Sequence, residues 1–166
     1  YTAVLWGIFR AGGVAVPLCL SHPAPELAHT LDDAKPSAIV ATPELQSALS
    51  ALAAVRGIPL LDPAIWLNAN ADDNPLPVIA PERPALLIYT SGTTGKPKAA
   101  ITTHSILDAQ IRAIVTAWEL DASDRILHVL PLHHLHGVLN ALSAPLYAGA
   151  CVEFLPKFDA DAVLAR

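Results

Sequence analysis

The chain has 166 residues, of which 53% are hydrophobic and 15% are charged. This composition excludes a disordered or fibrous protein, and the length is typical of one domain. The net charge of −5 argues against a nucleic-acid partner, because neutralising the many phosphates of a nucleic-acid backbone requires a basic face. No apolar run reaches the roughly 18–20 residues of a membrane-spanning helix, so we expect no membrane span.

The first 62 residues alternate between helical and extended patterns. Gly12 and Gly13 are expected to end a first helix, because glycine favours the left-handed conformation that follows many helices. The apolar patterns further predict helices over 26–34 and 45–55, and strands over 14–17, 37–41 and 58–61. Short strands separated by helices predict parallel pairing and an α/β fold, in which layered sheets are flanked by helices.

Residues 63–84 contain many proline and asparagine residues and lack periodicity, which predicts a surface connection between two sub-layers, 1–62 and 85–166. Within the second sub-layer we expect strands over 85–89, 99–102, 126–130 and 151–155, and helices over 105–120, 135–147 and from 159. The helix over 105–120 carries an apolar stripe that includes Trp118, so this side chain is expected in the core.

The two cysteines, Cys19 and Cys151, are far apart in the sequence. Their spacing fits neither a Cys-x-x-Cys metal site nor a disulfide framework. We therefore expect two small buried apolar side chains in a reducing compartment.

The segment most informative about function is Tyr89–Lys98, with the sequence Tyr-Thr-Ser-Gly-Thr-Thr-Gly-Lys-Pro-Lys. A buried strand leads into a run of hydroxyl, glycine and lysine residues. Glycines allow successive backbone N–H groups to turn toward one centre, while hydroxyls add donors and lysine adds positive charge. This combination predicts a phosphate-binding loop.

The loop differs from the common nucleotide-binding motifs. Only two residues separate Gly92 from Gly95, and Lys96 is followed by Pro97, whereas the loop of P-loop NTPases has four residues between its glycines and then Lys-Ser or Lys-Thr. The chain also lacks G-x-G-x-x-G and G-x-S-x-G, which excludes the simple dinucleotide-binding and α/β-hydrolase hypotheses. The alternative left open by the residues alone is a flexible polar surface loop.

Tyr89–Lys98 resembles the phosphate-binding loop of the adenylate-forming superfamily, which includes acyl-CoA synthetases, luciferases and peptide-synthetase adenylation domains. The resemblance implies that 1–166 is part of the large N-terminal domain of such an enzyme. It also implies a catalytic role for Lys98. The residues expected to hold the β- and γ-phosphates of ATP are Thr90, Ser91, Gly92, Thr93, Thr94, Gly95 and Lys98.

A second resemblance lies in Leu130-Pro-Leu-His-His-Leu-His-Gly137, which is similar to the segment that lines the acyl pocket in this family. The resemblance implies a catalytic-site role for His134, whereas His133 and His136 fit a structural role at least as well. Adjacent His133 and His134 are expected to point apart, and no cysteine or carboxylate has ligand spacing to them, so we expect no metal site.

The histidine segment and its flanks are most similar to malonyl-CoA synthetases and related mitochondrial enzymes that activate malonate or methylmalonate. The run Ala11–Pro17 and the later Leu155-Pro-Lys-Phe158 extend the similarity to both halves. The resemblance implies activation of a small carboxylic acid by ATP, through an acyl-adenylate, to a CoA thioester. It also implies that the Mg²⁺ ligand and a C-terminal domain lie beyond Arg166.

Both ends of the chain have the pattern of helix interiors, so we expect a fragment that is inactive alone. Two alternatives stay open: an adenylation enzyme that loads a carrier protein, and a non-catalytic paralogue that binds nucleotide. The resemblance implies the cytoplasm for a bacterial source and mitochondria for a eukaryotic one. The sequence makes no prediction of oligomeric state.

Overall fold

The computed structural model describes residues 1–67, 75–90 and 97–166. The helices are α1 (Thr2–Arg10), α2 (Ala24–Ala34), α3 (Pro43–Arg56), α4 (Pro63–Leu67), α5 (His104–Ala117), a π-helix (His136–Ser143), α6 (Ala144–Ala148) and α7 (Ala160–Leu164). The strands are β1 (Ile39–Val40), β2 (Leu60–Leu61), β3 (Pro84–Thr90), β4 (Lys98–Thr103), β5 (Arg125–His128) and β6 (Cys151–Phe154). Helices and strands alternate along the chain, which confirms the predicted α/β class.

The chain divides into two compact units. The first comprises Tyr1–Ile79 and Ala85–Ile101, and the second comprises Ala80–Pro84 and Thr102–Arg166. The division into sub-layers 1–62 and 85–166 joined by 63–84 stays a prediction about the larger domain.

The first unit contains a parallel strand pair that follows helices α1 and α2. Ile39 pairs with Leu60 and Val40 with Leu61, and α3 connects the two strands. Pro43 at the start of α3 fits because a proline lacks only an N–H that would be unpaired there. Gly57 ends the helix with a φ of 64°, a conformation that costs glycine little. The pairing confirms the predicted strand–helix–strand arrangement.

The core beneath this strand pair is a cluster of apolar side chains from α2, β1 and α3 and their flanks. Its buried members are Leu31, Ile39, Ala41, Leu49 and Ala53. Leu49 lies in the middle of α3 and is only 2% exposed. The apolar face of α3 is thereby fixed against the strands.

The remaining strands of the first unit carry the predicted phosphate-binding loop. β3 and β4 are hydrogen-bonded neighbours. Leu86 of β3 forms a parallel bridge with Ala15, whose N–H donates to the carbonyl of Ala85 at 2.8 Å. The expected strand over 14–17 is reduced to this single bridge. Since Ala85 and Leu86 are fully buried, the strand that leads to the loop is anchored in the core.

The second unit contains α5 and a second parallel pair. Thr103 caps α5, because its Oγ1 accepts a hydrogen bond from the N–H of Ile106 at 3.3 Å. β5 and β6 pair in parallel from Arg125 with Cys151 to His128 with Phe154. The π-helix and α6 connect these strands, so the helix predicted over 135–147 is confirmed in position.

Two expectations about burial are wrong. Trp118 is 49% exposed, because α5 ends at Ala117 and the side chain lies past the buried residues Leu107 and Ile111. Cys151 is exposed at the first position of β6, although Cys19 is buried as expected. None of the helices in 1–67, 75–90 and 97–166 is both long and apolar enough to cross a bilayer.

Leu49→Ala should lower the free energy of unfolding by about 2–5 kcal/mol, because it leaves a cavity in the cluster around Leu31 and Ile39. Leu45→Ala is the matched control on the same helix, since Leu45 is 46% exposed. Its effect should be less than half as large. Urea unfolding followed by circular dichroism compares the variants, and equal losses would contradict the assignment of Leu49 to the core.

Candidate functional site

The predicted phosphate-binding loop begins and ends on paired strands. Thr90 is the last residue of β3, and Lys98 is the first residue of β4. The Oγ1 of Thr90 donates to the carbonyl oxygen of Lys98 at 3.5 Å, a long hydrogen bond that closes the base of the loop. Both residues are exposed. The structure therefore brings together the first and last of the predicted phosphate-binding residues.

The other predicted phosphate ligands lie outside the described residues. These are Ser91, Gly92, Thr93, Thr94 and Gly95. Their phosphate-binding role stays a prediction from the sequence, and so does the catalytic role of Lys98.

His134 lies in the second unit, in the short connection between β5 and the π-helix, and is exposed. Its ring pairs with that of His133, with the ring centroids 4.2 Å apart and the planes at 49°. The expectation that these adjacent side chains point apart is therefore wrong. An extended strand would separate them, but Leu132 and His133 form a turn that brings the rings together.

The backbone around His134 is held by a compact set of contacts. The N–H of His134 donates to the carbonyl of Pro131 at 3.3 Å, and the carbonyl of His134 accepts from the N–H of Val138 at 3.0 Å. A Cβ placed on Gly137 would lie 2.3 Å from the oxygen of Pro131. Only glycine allows this close approach, so Gly137 determines how tightly the chain turns before the π-helix.

His128 holds the turn before the π-helix from the buried side. The side chain is only 1% exposed, and its Nε2 donates to the carbonyl of Gly137 at 2.9 Å. The ring of Phe154, on the paired strand β6, lies 4.8 Å from the His128 ring between centroids. A buried histidine with a bonded ring nitrogen is fixed in tautomer and orientation, so it acts as a rigid support for the segment that carries His134.

Sequence reasoning missed the role of His128. The residue follows the apolar pair Ile126-Leu127 at the end of β5 and lies nine positions before the glycine that it binds. A polar side chain at a buried strand position must find a partner, and this requirement is the signal that could have identified it.

The helix that follows His134 has an unusual form. It is a π-helix from His136 to Ser143, a geometry that is often found at functional sites. The hydroxyl of Ser143 donates to the carbonyl of Val138 at 2.7 Å, which satisfies a polar group in a fully buried position. His136 is exposed at the first turn, whereas Val138, Leu139 and Leu142 are fully buried. Burial of this face fixes the helix and, through it, the histidine segment.

Comparison with protein families gives a match over the whole chain. The model of the family described as AMP-binding enzyme matches residues 1–166. Among characterised proteins, the chain is 40% identical to a malonate–CoA ligase of Arabidopsis thaliana and covers 29% of that protein, with 100% of the chain aligned. It is 41% identical to the mitochondrial malonate–CoA ligase of Homo sapiens, with 98% of the chain and 29% of that protein aligned. The chain thus spans less than a third of the length of these relatives.

Comparison with solved structures gives the same fold. The chain superposes on ATP-bound MatB of Rhodopseudomonas palustris with a TM-score of 0.85 and 32% identity, covering 98% of the chain and 34% of that protein. A malonyl-CoA ligase in a ternary product complex with methylmalonyl-CoA and AMP matches with a TM-score of 0.84 and 32% identity, covering 97% of the chain and 34% of that protein. The described strands and helices therefore follow the architecture of one region of these larger enzymes.

Gly137→Ala should destabilise the protein by about 1–3 kcal/mol, because the added methyl group overlaps the carbonyl of Pro131 and forces the turn apart. Gly7→Ala is the control: it lies inside α1, and a Cβ there would meet nothing within 4 Å. Alanine should stabilise that helix by up to about 1 kcal/mol. Thermal unfolding distinguishes the two. A Gly137→Ala protein as stable as the parent would contradict the close approach.

Proposed function

Because the chain belongs to the family of AMP-binding enzymes, we propose that it forms part of the N-terminal domain of an acyl-CoA ligase that activates a small carboxylic acid with ATP. The observation that carries this proposal is the Ser/Thr/Gly/Lys-rich loop between Thr90 and Lys98, at the closed end of the pair β3–β4. The relatives named malonate–CoA ligase support it. We refer to this chain together with the remainder of that enzyme as the complete ligase.

The proposed reaction has two balanced steps. A carboxylate oxygen of the acid attacks the α-phosphorus of Mg-ATP, and the bond to the β-phosphate oxygen breaks, giving acyl-adenylate and pyrophosphate. The thiolate of CoA then attacks the acyl carbon, and the bond to the AMP oxygen breaks, giving the thioester and AMP. The first step places growing negative charge on the departing pyrophosphate, so catalysis depends on donors and cations fixed in advance.

The loop would supply those fixed groups. We assign the hydroxyl and backbone N–H groups of the loop, with the ammonium of Lys98, to the β- and γ-phosphates. Thr90 and Lys98 occupy the ends of hydrogen-bonded strands, so the loop would be anchored to the sheet at both ends. Such anchoring of both ends limits the conformational entropy that is lost when phosphate binds.

We assign His134 to the carboxylate and acyl side of the reaction. The side chain is exposed while its backbone is held by Pro131 and Val138. An exposed polar ring on a fixed backbone is suited to orienting a small polar acid. The pair of His133 and His134 is more polar than the apolar wall that a long acyl chain requires.

For the acid itself we propose malonate or methylmalonate. The relatives named malonate–CoA ligase and the complex with methylmalonyl-CoA support this choice. Other acids occur among more distant relatives, since an indoleacetate–CoA ligase of Aromatoleum aromaticum is 36% identical. Three mammalian relatives carry the word mitochondrial in their names. We therefore propose mitochondria for a eukaryotic source and the cytoplasm for a bacterial one.

Lys98→Ala in the complete ligase should slow acid-dependent pyrophosphate exchange by about a hundredfold, the typical cost of one fixed group that stabilises transition-state charge. Because Lys98 is exposed, the fold should be unaffected. Lys157→Ala is the control, because Lys157 is also exposed but lies in the second unit. This variant should show normal pyrophosphate exchange. Normal exchange by folded Lys98→Ala protein would exclude the phosphate-binding assignment.

A panel of acids tests the substrate. With CoA as acceptor, AMP release should be faster with malonate or methylmalonate than with acetate, and palmitate should be rejected. His134→Phe should reduce the preference for the dicarboxylic acids, because the ring would no longer offer a hydrogen bond. If palmitate outcompetes malonate, the dicarboxylate proposal is wrong. If His134→Phe keeps the parent's preference, His134 does not contact the acid.

A further inference from the structure

Helix α2 makes a polar contact with each side of the phosphate-binding loop. On the N-terminal side, the hydroxyl of Tyr89 donates to the carboxylate of Asp33 at 2.7 Å. On the C-terminal side, Nε2 of His29 donates to the carbonyl oxygen of Pro97 at 3.0 Å. All four residues belong to the first compact unit. One helix is thus hydrogen-bonded to the chain immediately before Thr90 and immediately before Lys98.

The spacing of the two helical residues explains how one helix reaches both places. His29 and Asp33 are four positions apart in α2, so they lie on the same face. The partners are 56 and 68 positions away in the sequence, which excludes an incidental local contact. The side of α2 that faces the core carries Leu27 and Leu31. The apolar residues therefore fix the helix, and the polar pair projects from a fixed support.

The contact with Asp33 keeps its donor because Tyr89 stays protonated. Burial, followed by the hydrogen bond and the negative charge of Asp33, raises the pKa of Tyr89 well above its usual range. The hydroxyl is therefore a donor throughout the physiological pH range. A hydrogen bond to a charged carboxylate is stronger than one between neutral groups. The side chain of Tyr89, the last half-buried residue of β3, is thus held in one orientation directly before the loop.

The contact with His29 compensates for the chemistry of proline. Pro97 has no N–H, so its carbonyl is the one backbone hydrogen-bonding group that this residue offers. That carbonyl accepts from an imidazole on the helix. The chain is therefore held at Pro97 directly before Lys98 enters β4.

The two stems of the phosphate-binding loop are residues 89–90 at the end of β3 and residues 97–98 at the start of β4. We propose that His29 and Asp33 are positioning residues that set the separation of these stems, so that the donors of the loop meet the β- and γ-phosphates of ATP without reorganisation. This inference rests on the proposed function, because it presumes that the loop binds ATP. Neither residue touches substrate. They act through Tyr89 and Pro97, and their effect is expected on the use of ATP and not on the use of the acid.

The experiment compares two adjacent aspartates in the complete ligase. Asp33→Ala should raise the KM for ATP in pyrophosphate exchange by roughly three- to tenfold, a part of the effect of one lost charged hydrogen bond. The KM for the acid should be unchanged. Asp32→Ala is the matched control, since Asp32 pairs with Arg56 of α3 at 2.6 Å and makes no hydrogen bond to the loop stems among the described residues. It should lower thermal stability without changing the KM for ATP.

Conservative variants show whether the hydrogen bonds themselves matter. Tyr89→Phe should reproduce the KM shift of Asp33→Ala, and the double variant should be no worse than either, because both remove the same bond. Asp33→Asn keeps an acceptor oxygen for Tyr89 and should retain most of the parent KM. His29→Ala should also raise the KM for ATP, whereas His29→Gln keeps a donor for Pro97 and should rescue it. If Asp33→Ala does not fold, Tyr89→Phe provides the same comparison.

The outcomes separate this inference from the proposed function. If Asp33→Ala and His29→Ala lower stability as Asp32→Ala does but leave the KM for ATP unchanged, the two residues are structural and the inference is wrong, while loss of exchange in Lys98→Ala would still support the ligase. If the acid KM rises as much as the ATP KM, the positioning role is also wrong. If Lys98→Ala exchanges normally, the proposed function fails and the inference fails with it.

Discussion

A phosphate-binding loop can act only if its two ends are held at a fixed separation. Phosphate oxygens are small and their hydrogen bonds are directional, so a loop whose stems drift loses several donors together. In this chain the ends of the loop that we propose to bind phosphate are Thr90 and Lys98, and the hydrogen bond between them is long at 3.5 Å. That bond is too weak to set the geometry alone. The pairing of β3 with β4, the buried residues of β3 and the contacts with α2 therefore carry the constraint.

The second unit solves a similar problem with different chemistry. The histidine segment has to leave a strand, turn and enter a helix within a few residues. Gly137 permits the backbone to approach Pro131, and His128 holds the carbonyl of Gly137 from within the core. The π-helix that follows buries Val138, Leu139 and Leu142, so the turn is attached to a large apolar surface. In both units an exposed polar residue stands on a backbone that is fixed by buried neighbours.

The sequence predicted the elements well where local chemistry is strong. The buried run 85–89, the end of the first helix before Gly12 and Gly13, and the strand–helix–strand order were all predicted, because periodicity and glycine conformations are local properties. The exposure of Trp118 could not be predicted, because helix α5 ends before the apolar stripe does. The pairing of the His133 and His134 rings depends on a turn that no periodicity marks.

The sequence indicates the composition of the candidate site but not the contacts that support it. Ten consecutive residues were sufficient to predict a phosphate-binding loop, since hydroxyls, glycines and lysines occur together for few other reasons. The partners of its stems could not be predicted, because His29 and Asp33 are more than fifty positions away and lie on an ordinary amphipathic helix. Long-range hydrogen bonds are set by tertiary packing, which the one-dimensional pattern does not contain. For the same reason His128 could be identified as a polar residue in an apolar strand, but not matched with Gly137.

The two adjacent aspartates of α2 show how one helix combines support with positioning. Successive residues of a helix point about 100° apart, so Asp32 and Asp33 reach different neighbours. Asp32 is bound by the guanidinium of Arg56, which lowers the pKa of the Asp32 carboxyl mainly through the hydrogen bond, and this pair joins α2 to α3. Asp33 joins the same helix to β3 through Tyr89.

The pair of Asp32 with Arg56 stabilises the fold only where the Asp32 carboxyl is ionised. Because the pKa of Asp32 is lowered in the folded state, this contribution is lost as the pH falls through that lowered value. The hydroxyl of Tyr89 stays a donor to high pH, because burial and Asp33 raise its pKa. Asp32 thus connects α2 to the rest of the unit, and Asp33 connects it to the strand that leads into the loop. Substitutions at these two positions can therefore separate the stability of the unit from the geometry of its loop.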